Sequence, residues 1–260
     1  MNAMRDLGLD QAIRAGGGIG ALARKIGISQ PSLSNWSRVP AERVLAVESI
    51  TGIDRAVLRP DLYGSAEAVA ADEVDAARAR EYALLAVLLR RAPDSDLLSQ
   101  LAALRGDASA FGLAHAALAE VAMAANIKRV EREFFDLFIG IGRGELVPYG
   151  SFYLTGFLNE RPLARLRGDL ARLGIERVER EAEPEDHAAV LCEIMACLIG
   201  GSFGTPPGAD RELFDKHLAP WMGRFFADLE QAQAADFYRR VGAVGRILME
   251  IESEAFALAS

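Results

Sequence analysis

Glu183-Pro184-Glu185-Asp186-His187, followed by Ala188-Ala189-Val190-Leu191-Cys192-Glu193-Ile194-Met195-Ala196-Cys197-Leu198, is the stretch whose reading decides the fold. Proline has no N–H to donate and is best tolerated in the first turn of a helix. Pro184 therefore predicts a helix start, with Asp186 and His187 near it. Leu191, Ile194, Met195 and Leu198 then fall at i, i+3, i+4 and i+7, the spacing of one buried helix face. A helix start presents unpaired N–H groups and positive potential, which suit acidic side chains and oxygen-rich ligands. A plain acidic helix cap accounts for the pentapeptide equally well.

Composition points the same way. Of 260 residues, 51% are hydrophobic, enough for a sizeable core. Alanine and leucine dominate and β-branched runs are few, which favours helices. No apolar run reaches the roughly 18 residues of a membrane span, so no membrane insertion is expected. The first residues, with Asp6 and Asp10, lack an apolar signal core. The expected location is cytoplasmic. Cys192 and Cys197 sit on different faces of one predicted helix and read as buried thiols rather than a disulfide. His115, His187 and His217 lack metal-ligand spacing, so neither metal nor cofactor is predicted.

Three more segments work outward from the opening one. Upstream lie Phe134-Phe135-Asp136-Leu137-Phe138-Ile139-Gly140 and Val147-Pro148-Tyr149-Gly150-Ser151-Phe152-Tyr153; downstream lies Phe214-Asp215-Lys216-His217-Leu218-Ala219-Pro220-Trp221. In this order and spacing the four segments resemble the TorD/DmsD/NarJ family, chaperones of molybdoenzyme maturation. The match covers roughly residues 75–260. The resemblance implies an all-helical fold without catalytic activity. It also implies binding of an apo-molybdoenzyme subunit through its N-terminal peptide, often a twin-arginine signal. Asp186 and His187 occupy the positions that the family links to peptide recognition. Glu183, Pro184, Tyr149, Ser151, Tyr153 and Trp221 complete the expected peptide-binding set. An arginine-rich peptide suits a site bordered by Glu183, Glu185 and Asp186, because guanidinium groups pair well with carboxylates.

The N-terminal part reads differently. Residues 1–62 carry eight basic and six acidic side chains, a formal +2, against −10 for the remainder of a chain of net charge −8. Different partners are expected for a mildly basic head and an acidic body. Residues 7–15 read as a helix ending at Gly16-Gly17-Gly18, and Ile19 to Ile26 as a second. Gly27 makes the turn, Ser29 caps a third helix with Gln30 and Pro31 in its first turn, and Pro40 starts a fourth. Leu22, Ile26, Leu33, Trp36, Val44, Val47 and Ile50 are the inward residues by spacing, Trp36 being the largest. Helix, glycine turn, Ser-Gln-Pro-Ser-Leu-Ser-Asn-Trp is a helix-turn-helix pattern. Ala21 to Trp36, with Pro40 to Glu48 and Leu58 to Tyr63, resembles the Cro-like YdaS antitoxin and regulator family over residues 7–63. The loop Ser37-Arg38-Val39 is shorter than in many relatives.

On that resemblance Gln30, Ser32, Ser34 and Asn35 are the base-reading candidates, and Arg24, Lys25, Arg38 and Arg43 the phosphate-contacting ones. A +2 charge is weak for tight DNA binding by a monomer, so a homodimer or further contacts are expected. A helix-turn-helix retained for protein interaction is the competing reading.

Gly64-Ser65 and the Ala/Asp/Glu-rich run to Asp75 read as a linker with some helical character, giving a 1–63 head and a 76–260 body. In the body, helices are expected from Arg78 to Arg90, from Asp94 to about Leu104, from Asp107 or Ser109 to about Ile127, from Lys128 to Phe138, and from Phe237 to Phe256. Gly140-Ile141-Gly142-Arg143-Gly144 follows a predicted helix and lacks a P-loop lysine, so it reads as a connector, flexible enough to permit domain swapping. Ser151 and His187 come without a Gly-x-Ser-x-Gly motif, and Glu183 with Asp186 without a catalytic setting, so no enzyme is expected.

Overall fold

Side-chain caps from Asp6, Ser29 and Asp54 start three helices of the head, and Gly16 and Gly52 each end one. The computed structural model describes residues 6–63, 66–176 and 183–258, with the side chains of 66–72 outside the described set. Helix α1 (Leu7–Ala15) is capped by Asp6, which accepts the Leu9 N–H at 2.8 Å. Helices α2 (Ile19–Lys25) and α3 (Gln30–Ser34) flank a turn at Gly27, whose φ of +74° only glycine adopts without strain. Ser29 caps α3 through the Ser32 N–H. Pro40 leads into a one-turn 3₁₀ helix, Ala41–Arg43, and then α4 (Val44–Thr51). Two short helices, α5 (Arg55–Leu58) and α6 (Pro60–Tyr63), follow.

Leu9, Leu22, Leu33, Val39, Val44, Val47 and Leu58 form the buried centre of the head. Trp36 is only partly buried at its margin, a correction to the expected core position. The reason is local: α3 ends at Ser34, so Trp36 lies beyond the helix and off the Leu33 face.

The chain divides into two compact units, Met1–Val74 and Asp75–Ser260. Helix α7 spans Ala66–Arg90, so most of the run read as a linker is helical. Its alanines and glutamates are strong helix formers. Gly64 and Ser65 lie outside the described residues.

The body continues with α8 (Ser95–Ala102), capped by Asp94, and α9 (Ala110–Met123), capped by Ser109. Helix α9 stops short of the expected end, because Asn126 caps α10 (Ile127–Phe134) instead. A π turn, Phe135–Ile139, extends α10 to Gly140, where a Cβ would come within 2.1 Å of the Arg143 carbonyl oxygen. Then come α11 (Gly150–Thr155), α12 (Arg161–Arg172), α13 (Ala188–Ile199) and α14 (Ala209–Leu213). A second π turn, Phe214–Leu218, extends α14, and α15 (Met222–Gln231) and α16 (Phe237–Leu258) close the body. Among the described residues there is no strand, and the fold is all-α. No single helix among them is long and apolar enough to cross a membrane.

Helix α13 lies in the centre of the body. Leu191, Cys192, Met195 and Leu198 share one core with Tyr82, Leu118, Phe214, Trp221, Phe225, Phe226 and Tyr238. Burial pushes the Cys192 thiol up, whereas Cys197 is only half-buried, contrary to expectation. Helices α15 and α16 approach closely because Gly245 leaves room for Phe226: a Cβ there would meet its ring at 2.3 Å. Glu133 on α10 is buried and accepts the N–H groups of Asp236, Phe237 and Tyr238 at 2.7–3.1 Å, capping α16 from a distant point in the chain.

Candidate functional site

The Glu183–His187 segment is a turn that precedes a helix. Pro184 lies before α13 rather than in its first turn, because His187 is the cap: its Nδ1 accepts the Ala189 N–H at 3.1 Å. That role requires a ring unprotonated at Nδ1. Burial lowers the His187 pKa to about 4, which keeps it so. The Tyr149 ring packs edge-on against it, with centroids 4.9 Å apart.

Asp186 was expected at an exposed helix start and is instead buried. The segments Pro148–Gly150 and Asp186–Ala188 form a two-bond antiparallel bridge, Gly150 N–H to Asp186 O at 2.9 Å and Ala188 N–H to Pro148 O at 2.8 Å. This bridge brings the Asp186 Oδ2 to the start of α11, where it accepts the Ser151 N–H at 2.7 Å. Asp186 therefore caps a helix that its own sequence leaves uncapped. The Asp186 Oδ1 and the Ser151 Oγ are buried without hydrogen-bond partners among the described residues. Ser151 and His187 are not hydrogen-bonded to each other, so no nucleophile–base dyad exists here.

The remaining expected residues separate. Tyr149 donates its hydroxyl to Glu183 at 2.5 Å, and burial, then this carboxylate, raise the hydroxyl's pKa. Tyr153 donates to Asp228 at 3.0 Å and packs, half-buried, at the margin of the core, tilted against Trp221 and edge-on against Phe225. Trp221 is buried and donates to the His217 carbonyl at 2.7 Å, which fixes the Pro220 break between the π turn and α15. The close approach of Trp221 to Gly150, 3.0 Å from an added Cβ, locks α11 to the start of α15.

Two cavities flank the turn. One, of about 520 Å³, has an apolar floor of Leu170, Val190 and Ile194 and a rim that includes Glu176, Glu183, Glu185 and Glu193. Two arginines share this rim. Arg167 pairs with Glu185 at 2.9 Å, and Arg90 pairs with Glu193. The other cavity, of about 360 Å³, takes Asp186 and Trp221 together with cations from α12. Glu183 and Asp186, expected on one site, thus serve different cavities. A smaller cavity of about 110 Å³ holds Tyr149 and His187. Sequence reading missed Arg90, Arg167 and Glu193. Their signal is chemical complementarity across helices distant in sequence, which one-dimensional spacing does not carry.

In the head, Gln30, Ser32, Ser34 and Asn35 are exposed around α3, while Leu33 alone of that helix is buried. The Ser32 and Ser29 hydroxyls share a hydrogen bond of 2.8 Å. Arg24 and Lys25 lie exposed at the end of α2, and Arg38 leans on Asp61 at 3.4 Å. The geometry is a helix-turn-helix.

Residues 104–227 match the sequence model of the family described as nitrate reductase delta subunit, and residues 9–67 that of the bacterial toxin YdaS. The chaperone protein TorD of Vibrio cholerae serotype O1 is 28% identical over 115 residues, which are 41% of this chain and 52% of that protein. Over this stretch the body is similar to TorD. A second TorD, from Vibrio vulnificus, is 33% identical over 69 residues, 26% of this chain and 32% of its own length. The chain thus spans about half the length, or less, of these curated relatives. A crystal structure of a putative redox enzyme maturation protein from Archaeoglobus fulgidus is 23% identical, with a TM-score of 0.48 covering 66% of this chain and 93% of that one. The two family matches fall on different compact units, residues 9–67 largely on the head and 104–227 on the body.

Proposed function

We propose that the TorD-like body is a cytoplasmic, non-catalytic maturation chaperone for a molybdenum-cofactor oxidoreductase. Formate dehydrogenase, nitrate reductase and the S- or N-oxide reductases are the client types. The body would hold the client's arginine-bearing N-terminal peptide in the acidic cavity between α12 and α13. The observation that carries this reading is the pairing of a carboxylate rim with an apolar floor. Arginines of a leader would meet Glu183 and Glu185, and the leader's apolar run would meet Leu170, Val190 and Ile194. Arg167 is half-exposed while Glu185 is largely buried, so an incoming guanidinium would compete with Arg167 for that carboxylate.

Mass spectrometry of what co-purifies with the native protein identifies the client, and titration calorimetry with its leader peptide tests the site. Glu183→Gln with Glu185→Gln should weaken binding by roughly tenfold or more, on the basis of about 1.5–3 kcal/mol for a hydrogen bond to a charged group. Unchanged affinity in the double variant sinks the assignment.

For the YdaS-like head we infer DNA reading through α3, and through it a coupling of client supply to transcription. The exposed polar side chains of α3 favour this over a buried interaction role. Gln30→Ala with Asn35→Ala should remove sequence preference and leave weak, salt-sensitive binding, because base contacts specify whereas phosphate contacts hold. Electrophoretic mobility shifts on selected and random duplexes separate the two. A wild-type protein that binds no DNA at low salt returns the head to a protein-interaction role, and the body to a sensor or dimerisation domain of a regulator.

A further inference from the structure

The loop between α11 and α12 carries large apolar side chains into solvent. Phe157 is 69% exposed and Leu158 49%, and Leu154, in the last turn of α11, is 44% exposed. The loop is held in that shape. The Thr155 Oγ1 accepts the Phe157 N–H at 3.2 Å, and two left-handed residues bracket the turn, Gly156 at φ +83° and Asn159 at φ +58°. Asn159 is the one non-glycine residue with a positive φ among the described residues. Asparagine tolerates that conformation better than most residues. The turn therefore presents Phe157 and Leu158 to solvent instead of folding them onto the core. Cations flank it. Arg161 and Arg165 lie one turn apart at the start of α12, both exposed, and neither has an ion-pair partner among the described residues. They line one cavity together with Leu154. Lys216 lines it too, but Glu212 holds it at 2.6 Å. Residues 146–168 contain three arginines and a single acidic residue, Glu160, in a body of net charge −10.

Large apolar side chains beside unpaired cations fit one partner chemistry. A stable protein contact buries roughly 800 Å² on each side with matched shape, which a few side chains at one loop do not supply. A second copy in a two-fold contact would set the same arginines against each other. Free phosphate would engage the arginines and leave the apolar tip in water. A bilayer surface needs no matched shape. Its anionic headgroups attract arginine, and the boundary of its acyl layer takes phenylalanine and leucine.

We propose that the loop of residues 156–160, with Arg161 and Arg165, attaches the body reversibly to an anionic lipid surface. Phe157 and Leu158 enter the boundary of the acyl layer, and the two arginines meet lipid phosphates. The attachment is peripheral, since these few apolar side chains fall far short of the roughly 20 residues of a membrane span. It stands apart from the client reading, because the acidic cavity contains none of these residues.

The test uses the full chain and vesicles of phosphatidylcholine alone or in equal mixture with phosphatidylglycerol, followed by co-sedimentation. The protein should pellet with the mixed vesicles, and less so as salt rises. Arg161→Gln with Arg165→Gln should weaken this binding by roughly tenfold. Phe157→Ser with Leu158→Ser should weaken it by roughly tenfold as well. All four side chains are exposed and glutamine is a good helix former, so both double variants should keep the wild-type urea midpoint. Phe157→Trp reads insertion directly. With mixed vesicles its emission should shift to the blue and be quenched by spin-labelled lipid, beyond any change in the wild type. No binding to mixed vesicles at low salt, equal binding to the two vesicle types, equal binding of wild type and both double variants, or an unshifted emission in Phe157→Trp would each overturn the proposal. Self-association that is lost in Phe157→Ser with Leu158→Ser, read by sedimentation velocity, while vesicle binding stays unchanged, would overturn it in favour of a contact between copies.

Discussion

His187 gives its ring nitrogen to a helix start, and that makes it one source of the body's sensitivity to acid. Its folded-state pKa of about 4 lies below the 6.5 of a free imidazole, with burial as the leading cause. Above pH 6.5 both folded and unfolded chains carry a neutral ring, and the full stabilisation is present. Between 6.5 and 4 the unfolded chain binds a proton that the folded one refuses, so stability falls as the pH falls; below 4 the loss is complete. The difference is worth about 3 kcal/mol. His187→Asn supplies another good capping acceptor that does not titrate. Urea midpoints measured from neutral pH down to pH 4 should fall less in this variant than in the wild type; parallel curves would remove His187 from the acid response. Asp186 behaves differently under substitution. Because it is a buried cap on α11, Asp186→Ala should cost about 1–3 kcal/mol of stability, seen as a lower urea midpoint. The sequence showed that these two residues belong together but not which of them caps which helix, since the α11 start and the turn meet only through a bridge between distant segments.

At the scale of elements, start signals were the most legible. Asp94, Ser109 and the Ser29-Gln30-Pro31 start act through the next few residues, so local sequence suffices. Endings depending on context were not legible: α3 stops before Trp36, and both aromatic segments, at Phe135 and Phe214, widen into π turns. The two cavities were legible only as isolated charges, because their walls come from α12 and α13 together. Helix packing sets opposite fates for two glycines. Gly245→Ala should destabilise the body by about 1–3 kcal/mol, since its Cβ would collide with the Phe226 ring. Gly168→Ala, on α12 with nothing within 4 Å of the added carbon, should stabilise by about 0.4–1 kcal/mol. Thermal midpoints that move in the same direction would contradict the packing described.

For the molecule as a whole, two separate cores imply two separate melting events. Leu33 is fully buried in the head and truncating it should cost about 2–5 kcal/mol, a large part of a small unit's stability. In Leu33→Ala the head should lose its fold while the helical signal of residues 75–260 persists; one cooperative transition by calorimetry would show the units to be thermodynamically linked. The carboxylate of Glu133 has a consequence in time. The ribosome makes α10 about a hundred residues before the N–H groups of Asp236, Phe237 and Tyr238 that this carboxylate receives. Until they emerge, docking α10 would bury a charge with nothing to receive, so the nascent body stays open along that seam. Closure of that seam is expected to wait for the start of α16.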